Sequence, residues 1–425
     1  MNNTCTFQRL SSLMLAGLFM CTTGCTLMRA KKDLVVRNET VRISGVVTSD
    51  KPTTKPLCVA LYAETPSGQR KKLTACQVVY KDGAFAFQQK PGDYYLFAFE
   101  DANEDGTFQF TERVGWHGEP SLFSAKPGEV LDTFKLSLRP PEQARKELPL
   151  LYTNGLTQVE MRLDQKHAGT VISLSDPRFD PETGVLGMWE PATFYERYGG
   201  GLFFLQPYEE GKTPVLFFHG VGGTPRNFES LISKLDRTRF QPWIVHYPSG
   251  IRLTLLADYF AKLINEVQIR HKTPRILVVA HSMGGLVARG AINRLTANGK
   301  TFVPLFVSIS SPWQGHPGAG AGVEHSPVIL PCWFDMSPGS PYLDALQKTP
   351  LPLTTSYYLL FGYRGGRAAF ADGNTDGTLP ISSMLDLGMQ ESAVNVFGFN
   401  ENHVSILHST DVSDRFNRIL DKVAR

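Results

Sequence analysis

The chain has 425 residues, of which 42% are hydrophobic and 20% charged. That is a globular composition and more length than one ordinary domain needs. The formal net charge is only +3 and no Lys/Arg block stands out, so nothing points to nucleic acid or to a polybasic membrane patch.

Arg9 precedes an apolar run, Leu10 to Met20, about as long as a secretory h-region and too short to span a bilayer. The run ends at "CTTGC". A small residue followed by Cys after such a run resembles the lipobox of bacterial lipoproteins. Residues 1–24 would then be the signal peptide and Cys25 the lipidated first residue. Thr22 departs from the pattern, which usually has an apolar residue there. Thr26 rather than Asp follows the Cys, and the resemblance then implies outer-membrane anchoring. The membrane would be a partner through the acyl chains, each buried CH₂ contributing about 0.8 kcal/mol. Ordinary cleavage nearby, giving a soluble periplasmic or secreted protein, is the other reading.

Residues 34–140 read as strands: "VRISGVVTS", "LCVALYAE", "ACQVVYKDGAFAFQ", "GDYYLFAFED" and "LDTFKLSL" are β-branched and aromatic runs broken by Gly, Pro and Asp. They predict a small all-β sandwich, which resembles the Ig-like or carboxypeptidase-regulatory-like modules of exported bacterial proteins. Cys5 and Cys21 leave with the signal. Cys58 and Cys76 lie symmetrically about Pro66, Ser67 and Gly68. If those residues turn a hairpin, the two cysteines face each other and a disulfide is expected in an exported domain; two small buried thiols is the alternative. Cys332 reads as a packed thiol.

In the same region "DANEDGTFQFTE" fits the EF-hand loop through Asp101, Asn103, Asp105, Gly106 and Glu112. A strand precedes it where a helix should be. The loop reads equally as a structural Ca²⁺ site and as a polar turn, with no part in chemistry either way.

Residues 141–200 are expected to be a linker, "RPPEQARKELP", and an aperiodic lead-in rich in Pro, Gly and aromatics. From 201 to 425 strand-like runs alternate with helical ones: "PVLFFHG", "FQPWIVHYP", "RILVVAH", "VPLFVSIS", "TSYYLLFGY" and "AVNVFGF" separate amphipathic segments. Near-continuous apolar strands between helices predict an α/β fold with a mostly parallel sheet covered on both faces.

Four stretches of this region carry chemistry. In "RILVVAHSMGGLVAR" a strand meets a helix at Ser282, with small residues two before and two after, Ala280 and Gly284. Such a corner exposes Oγ and puts the Met283 amide at a helix N-terminus, where it can stabilise an oxyanion. In "FFHGVGGTPRNF" a strand ends at His219 and Gly220; the glycine-rich loop allows the Val221 amide to serve as a second donor, and His219 reads as a loop-shaping residue. After two later strands come "ADGNTDGTLPISS" and "NENHVSIL", making Asp376 the candidate acid and His403 the candidate base. Asp372 and His408 are their rivals, and "DGNTDG" could alternatively hold a cation through Asp372, Asn374 and Asp376.

With these pieces the chain from about Thr213 onward resembles the α/β-hydrolase superfamily, and within it lipase-like and GPI-inositol-deacylase-like bacterial hydrolases; "AHSMGGLVAR", "ISSPWQG" and "DMSPGSPYLDAL" carry the likeness. The resemblance implies a Ser282–His403–Asp376 triad that cleaves a lipid or acyl ester through an acyl-enzyme, with no metal or organic cofactor for catalysis. Acyltransferase, thioesterase or peptidase chemistry on the same residues, and a non-catalytic binding lipoprotein, are the rival readings. No protein partner is indicated. Residues 313–350, with Trp313, Val328, Ile329, Leu330, Trp333, Phe334 and Met336 among many Gly and Pro, correspond to the lipase cap over an acyl pocket; a cap packed shut as core is the plainer reading. His316, His325 and Cys332 match no common metal spacing.

Overall fold

The computed structural model describes residues 24–49, 51–64, 71–79, 83–103, 108–109, 111–118, 122–142, 168–366 and 373–423. The described residues of Val35–Ala168 with Lys262–Lys272 form one compact unit; those of Met1–Leu34, Gly169–Ala261 and Thr273–Arg425 form the other. Most of the proposed signal peptide lies outside the described residues.

The first unit is built from β1 (Val41–Ser49), β2 (Leu57–Glu64), β3 (Lys71–Val79), β4 (Ala84–Gln89), β5 (Gly92–Glu100), β6 (Val114–Trp116), β7 (Phe123–Ala125) and β8 (Val130–Leu138). One sheet runs β4-β1-β8 and the other β3-β2-β5-β6, with β7 also on β5. Alternating residues such as Ile43, Val59, Leu61, Leu96 and Leu136 fill a shared core, as strands with one buried face require.

The hairpin of β2 and β3 forms, but not in the expected register. Cys58 pairs with Val78 and Cys76 with Ala60, and the ladder slips by one residue at the bulge between Leu61 and Tyr62. The two cysteines are therefore diagonal neighbours. At that offset Cα atoms stand about 7–8 Å apart, beyond the usual disulfide span of about 4.4–6.8 Å. No disulfide joins them, which corrects the facing-pair expectation.

The second unit carries an eight-stranded sheet. Its strands are β9 (Ala168–Val171), β10 (Gly201–Phe204), β11 (Thr213–Phe218), β12 (Phe240–His246), β13 (Leu277–His281), β14 (Leu305–Ile309), β15 (Ser356–Gly362) and β16 (Asn395–Phe399). The order is β16-β15-β14-β13-β11-β12-β10-β9. From β12 to β16 every neighbour is parallel, and β10 is antiparallel to β12. β11, β12, β13 and β14 are buried at every position, which is why their sequences do not alternate.

The lead-in is not aperiodic coil. It folds into α2 (Pro181–Trp189) and α3 (Pro191–Tyr198), which follow an N-terminal helix, α1 (Gly24–Asn38). Proline at the first position starts both α2 and α3. α2 carries buried residues on several sides, Thr183, Gly184, Gly187, Met188 and Trp189, so no amphipathic period marks it. Asp33 of α1 caps α3: its carboxylate accepts from the amides of Ala192 at 2.8 Å and Thr193 at 2.7 Å.

Candidate active site

β13 runs straight into α6 (Met283–Ala297), which follows α4 (Glu229–Ser233) and α5 (Leu253–His271) in the chain, with Ser282 the single residue between. Ser282 has φ 55° and ψ −132°, a strained conformation for a residue with a Cβ, costing of order 1–3 kcal/mol. The surroundings fix it. Its N–H donates to the Ile309 carbonyl at 2.9 Å, and its carbonyl accepts from Gly285 at 2.9 Å. A Cβ on Gly284 would lie 2.4 Å from the His219 carbonyl oxygen and 2.5 Å from that of Phe218. Strand β11 and helix α6 touch there through bare backbone. Ala280 is fully buried, paired with Phe218 on one side and Ser308 on the other.

Parallel strands end on the same edge of a sheet, so loops far apart in sequence converge there. Asp376 follows β15 and His403 follows β16. His403 Nε2 lies 3.0 Å from Ser282 Oγ, and His403 Nδ1 lies 2.6 Å from Asp376 Oδ2. All three side chains are buried. The other carboxylate oxygen, Oδ1, accepts from the amides of Thr378 at 3.0 Å and Leu379 at 2.8 Å. Burial alone would raise the Asp376 carboxyl; the His403 ring beside it and the hydrogen bonds from His403, Leu379 and Thr378 hold it below the ordinary 3.8 instead. An ionised Asp376 fixes the proton on Nδ1, leaving Nε2 to accept from the Ser282 hydroxyl.

Across from Ser282 sits the loop after β11. A Cβ on Gly220 would meet Ser282 Cβ at 2.9 Å and Oγ at 3.4 Å, so the loop lies against the hydroxyl. Gly222, at φ 64°, donates to Ser249 Oγ at 2.9 Å. Gly223 donates to the Gly220 carbonyl at 3.2 Å. Among the described residues, the amides of Val221 and Met283 have no acceptor. α2 presses on this loop through glycine: a Cβ on Gly184 would lie 2.5 Å from the Gly222 carbonyl oxygen.

His219 does not reach the serine. Its ring stacks on Tyr247, with centroids 4.1 Å apart, and the Tyr247 hydroxyl donates to the His219 carbonyl. Burial lowers its pKa to about 4, so it is neutral and shapes the loop. Sequence reasoning missed His281. Its Nε2 donates to the His403 carbonyl at 2.8 Å, and burial, then the charge of His403, lower its pKa to about 3. "AHS" displays the residue but gives no sign of a partner 122 positions later.

Of the two rivals, only His408 can be placed, and it is not brought in. His408 is exposed at the end of a short 3-10 turn, and Asp372 lies outside the described residues. In the first unit Asp101 and Glu112 are buried. Glu112 accepts from the amides of Ala102 and Gln109, at 2.8 Å each, through separate oxygens. Asn103 is exposed and Asp105 lies outside the described residues.

The 313–350 segment is ordered into α7 (Pro317–His325), α8 (Pro331–Met336) and α9 (Pro341–Lys348). Trp313, Val328, Leu330, Trp333 and Met336 are buried, while Phe334 is 43% exposed. Asp335, 1% exposed, holds Arg252 through both carboxylate oxygens and accepts from the Leu253 amide at 2.6 Å. The segment is mostly packed as core and pinned to the start of α5.

Residues 215–397 match the model of the alpha/beta hydrolase family. No curated protein matches the chain. Solved structures similar to part of it include a Bacillus licheniformis lipase in mature form, at 16% identity over 52% of this chain and 97% of that one, TM-score 0.41. A Listeria innocua gene product is 16% identical over 50% and 94%, TM-score 0.38. A thermophilic esterase from Thermogutta terrifontis is 16% identical over 53% and 95%, TM-score 0.36. By strand order and by the match over residues 215–397, the second unit has the α/β-hydrolase fold and carries the segment that matches that family.

Proposed function

We propose that the protein is a serine hydrolase that cleaves carboxylic esters of the lipid or acyl class. The observation that carries this reading is the unbroken chain from Asp376 through His403 to a strained Ser282, at 2.6 and 3.0 Å. Ser282 Oγ attacks the acyl carbonyl as its proton passes to His403 Nε2. The imidazolium is held by ionised Asp376, and the oxyanion takes hydrogen bonds from the Val221 and Met283 amides, each worth about 3 kcal/mol in the transition state. Collapse breaks the ester C–O bond, and His403 returns the proton to the departing alkoxide. A water then attacks the Ser282 ester, gives its proton to His403, and releases the acid as the proton goes back to Oγ. No metal or organic cofactor enters these steps.

The resemblance of "AHSMGGLVAR" to lipases and the apolar side chains of the 313–350 segment support acyl or lipid esters over peptides. The test is a panel of p-nitrophenyl esters, triglyceride, phospholipid and peptide substrates, with competing alcohols to expose transfer. Ester turnover lost in Ser282→Ala supports the reading; equal turnover in that variant contradicts it. We further propose lipidation at Cys25, which would hold this activity at a membrane. Mass spectrometry of the mature N-terminus tests it, with a diacylglyceryl-modified Cys25 expected and an unmodified N-terminus contrary to it.

A further inference from the structure

The base of the proposed triad hangs from an edge strand. β16 ends the sheet on one side, and none of its five residues is buried. The loop that carries His403 away from it is braced locally. Asn402 Oδ1 accepts from the amides of Val404 at 3.0 Å and Ser405 at 2.7 Å, and Ser405 Oγ accepts from the Asn402 amide at 2.9 Å. Those bonds travel with the loop and fix nothing relative to Ser282.

Two bonds of the His403 main chain leave the loop. Its amide donates to the Asp376 carbonyl at 2.8 Å, and its carbonyl accepts from His281 Nε2 at 2.8 Å. His281 is the last residue of β13, a strand buried at every position, and Ser282 follows it directly. Each side-chain link of the triad therefore has a second link beside it. The 2.6 Å contact of His403 with Asp376 is doubled through the main chain, and its 3.0 Å contact with Ser282 is doubled through the residue before the serine. The two imidazole rings lie 4.7 Å apart, tilted by 46°. A carbonyl oxygen only accepts, so His281 Nε2 carries a proton and is no rival base at that atom.

We infer that His281 is a positioning residue for the proposed hydrolysis: by donating to the His403 carbonyl it ties the base to the strand that carries the nucleophile, and so keeps His403 Nε2 within reach of Ser282 Oγ. The inference rests on the ester-hydrolase reading for its kinetic consequence and on geometry alone for its structural one. His281 acts through His403 and not on the substrate, so its loss should lower kcat and leave KM in place.

The test compares three variants of the full chain. His281→Gln can place an amide nitrogen where Nε2 stands, His281→Asn is one methylene too short, and His281→Leu has no donor. On a short p-nitrophenyl ester the Asn and Leu variants should lose about 10–100-fold in kcat with KM within about twofold, while the Gln variant stays within about threefold of wild type. In parallel, the His403 Nδ1 proton, held in the contact with Asp376, should give a proton NMR signal well downfield of the amides. That signal should persist in the Gln variant and shift or broaden in the other two. It reads the loop whether or not an ester is turned over, so absence of Ser282-dependent turnover in the wild type defeats the hydrolase reading and leaves this arm to decide. Wild-type kcat with an unmoved signal in the Asn and Leu variants, a Gln variant as impaired as Leu, or a raised KM at constant kcat overturns the role. So does failure of both the Asn and Leu variants to fold, which would make the bond a purely structural one.

Discussion

Gly284→Ala probes the corner on which the proposed chemistry depends. The new Cβ would sit 2.4 Å from the His219 carbonyl oxygen, whereas ordinary contact begins at 3.4 Å. The gap to be made is 3.4 − 2.4 = 1.0 Å. Both neighbouring atoms are backbone, from His219 and Phe218, so neither can rotate away. α6 must lift from β11, carrying Ser282 and the Met283 amide with it. A 1 Å misplacement costs about 10²-fold in rate, and overpacking costs about 1–3 kcal/mol in stability. The assay is kcat/KM on a short p-nitrophenyl ester beside thermal unfolding. Activity should fall about 100-fold while Tm drops by several degrees and the protein still folds. Wild-type activity and Tm together would refute the claim that backbone contact at this glycine positions the serine.

Ala280→Gly restores glycine at the other flank of the corner; strand glycine costs about 0.5–1 kcal/mol, so a small loss of Tm with near-normal turnover is expected by the same pair of assays. Asp376→Asn should lower kcat by about 10³–10⁴-fold, because an amide no longer enforces the Nδ1–H tautomer; an intact rate in steady-state kinetics contradicts the role. The Asp376 carboxyl titrates below its ordinary 3.8 in the fold. Its stabilisation is thus complete above that value and lost as pH falls through the lower folded one, a loss that urea melts should not find in the Asn variant. Buried His219 and His281 have pKa values lowered to about 4 and about 3. The unfolded chain takes up their protons first, so stability falls on acidification from about pH 6.5 by about 1.4 kcal/mol per unit for each histidine. Denaturant melts at pH 7 and pH 5 measure this, and equal stability at both contradicts it. Calcium and chelator should leave the unfolding of the β-unit unchanged, since both Glu112 oxygens already serve backbone amides; a Ca²⁺-dependent rise in Tm by calorimetry would show that the loop rebuilds around the ion.

What the sequence displays and what it hides follow from local and non-local forces. The strands of the parallel sheet were legible because burial on both faces demands unbroken apolar runs. The corner was legible because Ser282 and its small neighbours are contiguous. Asp376 and His403 were legible only through chain order, since nothing near either residue states that β15 and β16 lie side by side. The helix α2 was hidden because buried residues on more than one side erase the period, and α3 because its 8 residues span little more than two turns, although Pro181 and Pro191 mark their starts. The Cys58–Cys76 pairing failed because the hairpin is already offset by one residue at Glu64–Lys71 and the bulge adds another, neither leaving a clear mark in composition. The His281 bond to the His403 carbonyl is a tertiary contact between two loops and could not be read at all.

The most direct measurement is intact-protein mass spectrometry after treatment with a fluorophosphonate, followed by peptide mapping. The account predicts one phosphonyl adduct, on Ser282, formed in step with loss of ester hydrolysis and absent from the His403→Ala variant. Full ester turnover with Ser282 unmodified, or an adduct at another residue that tracks the loss of activity, would contradict it.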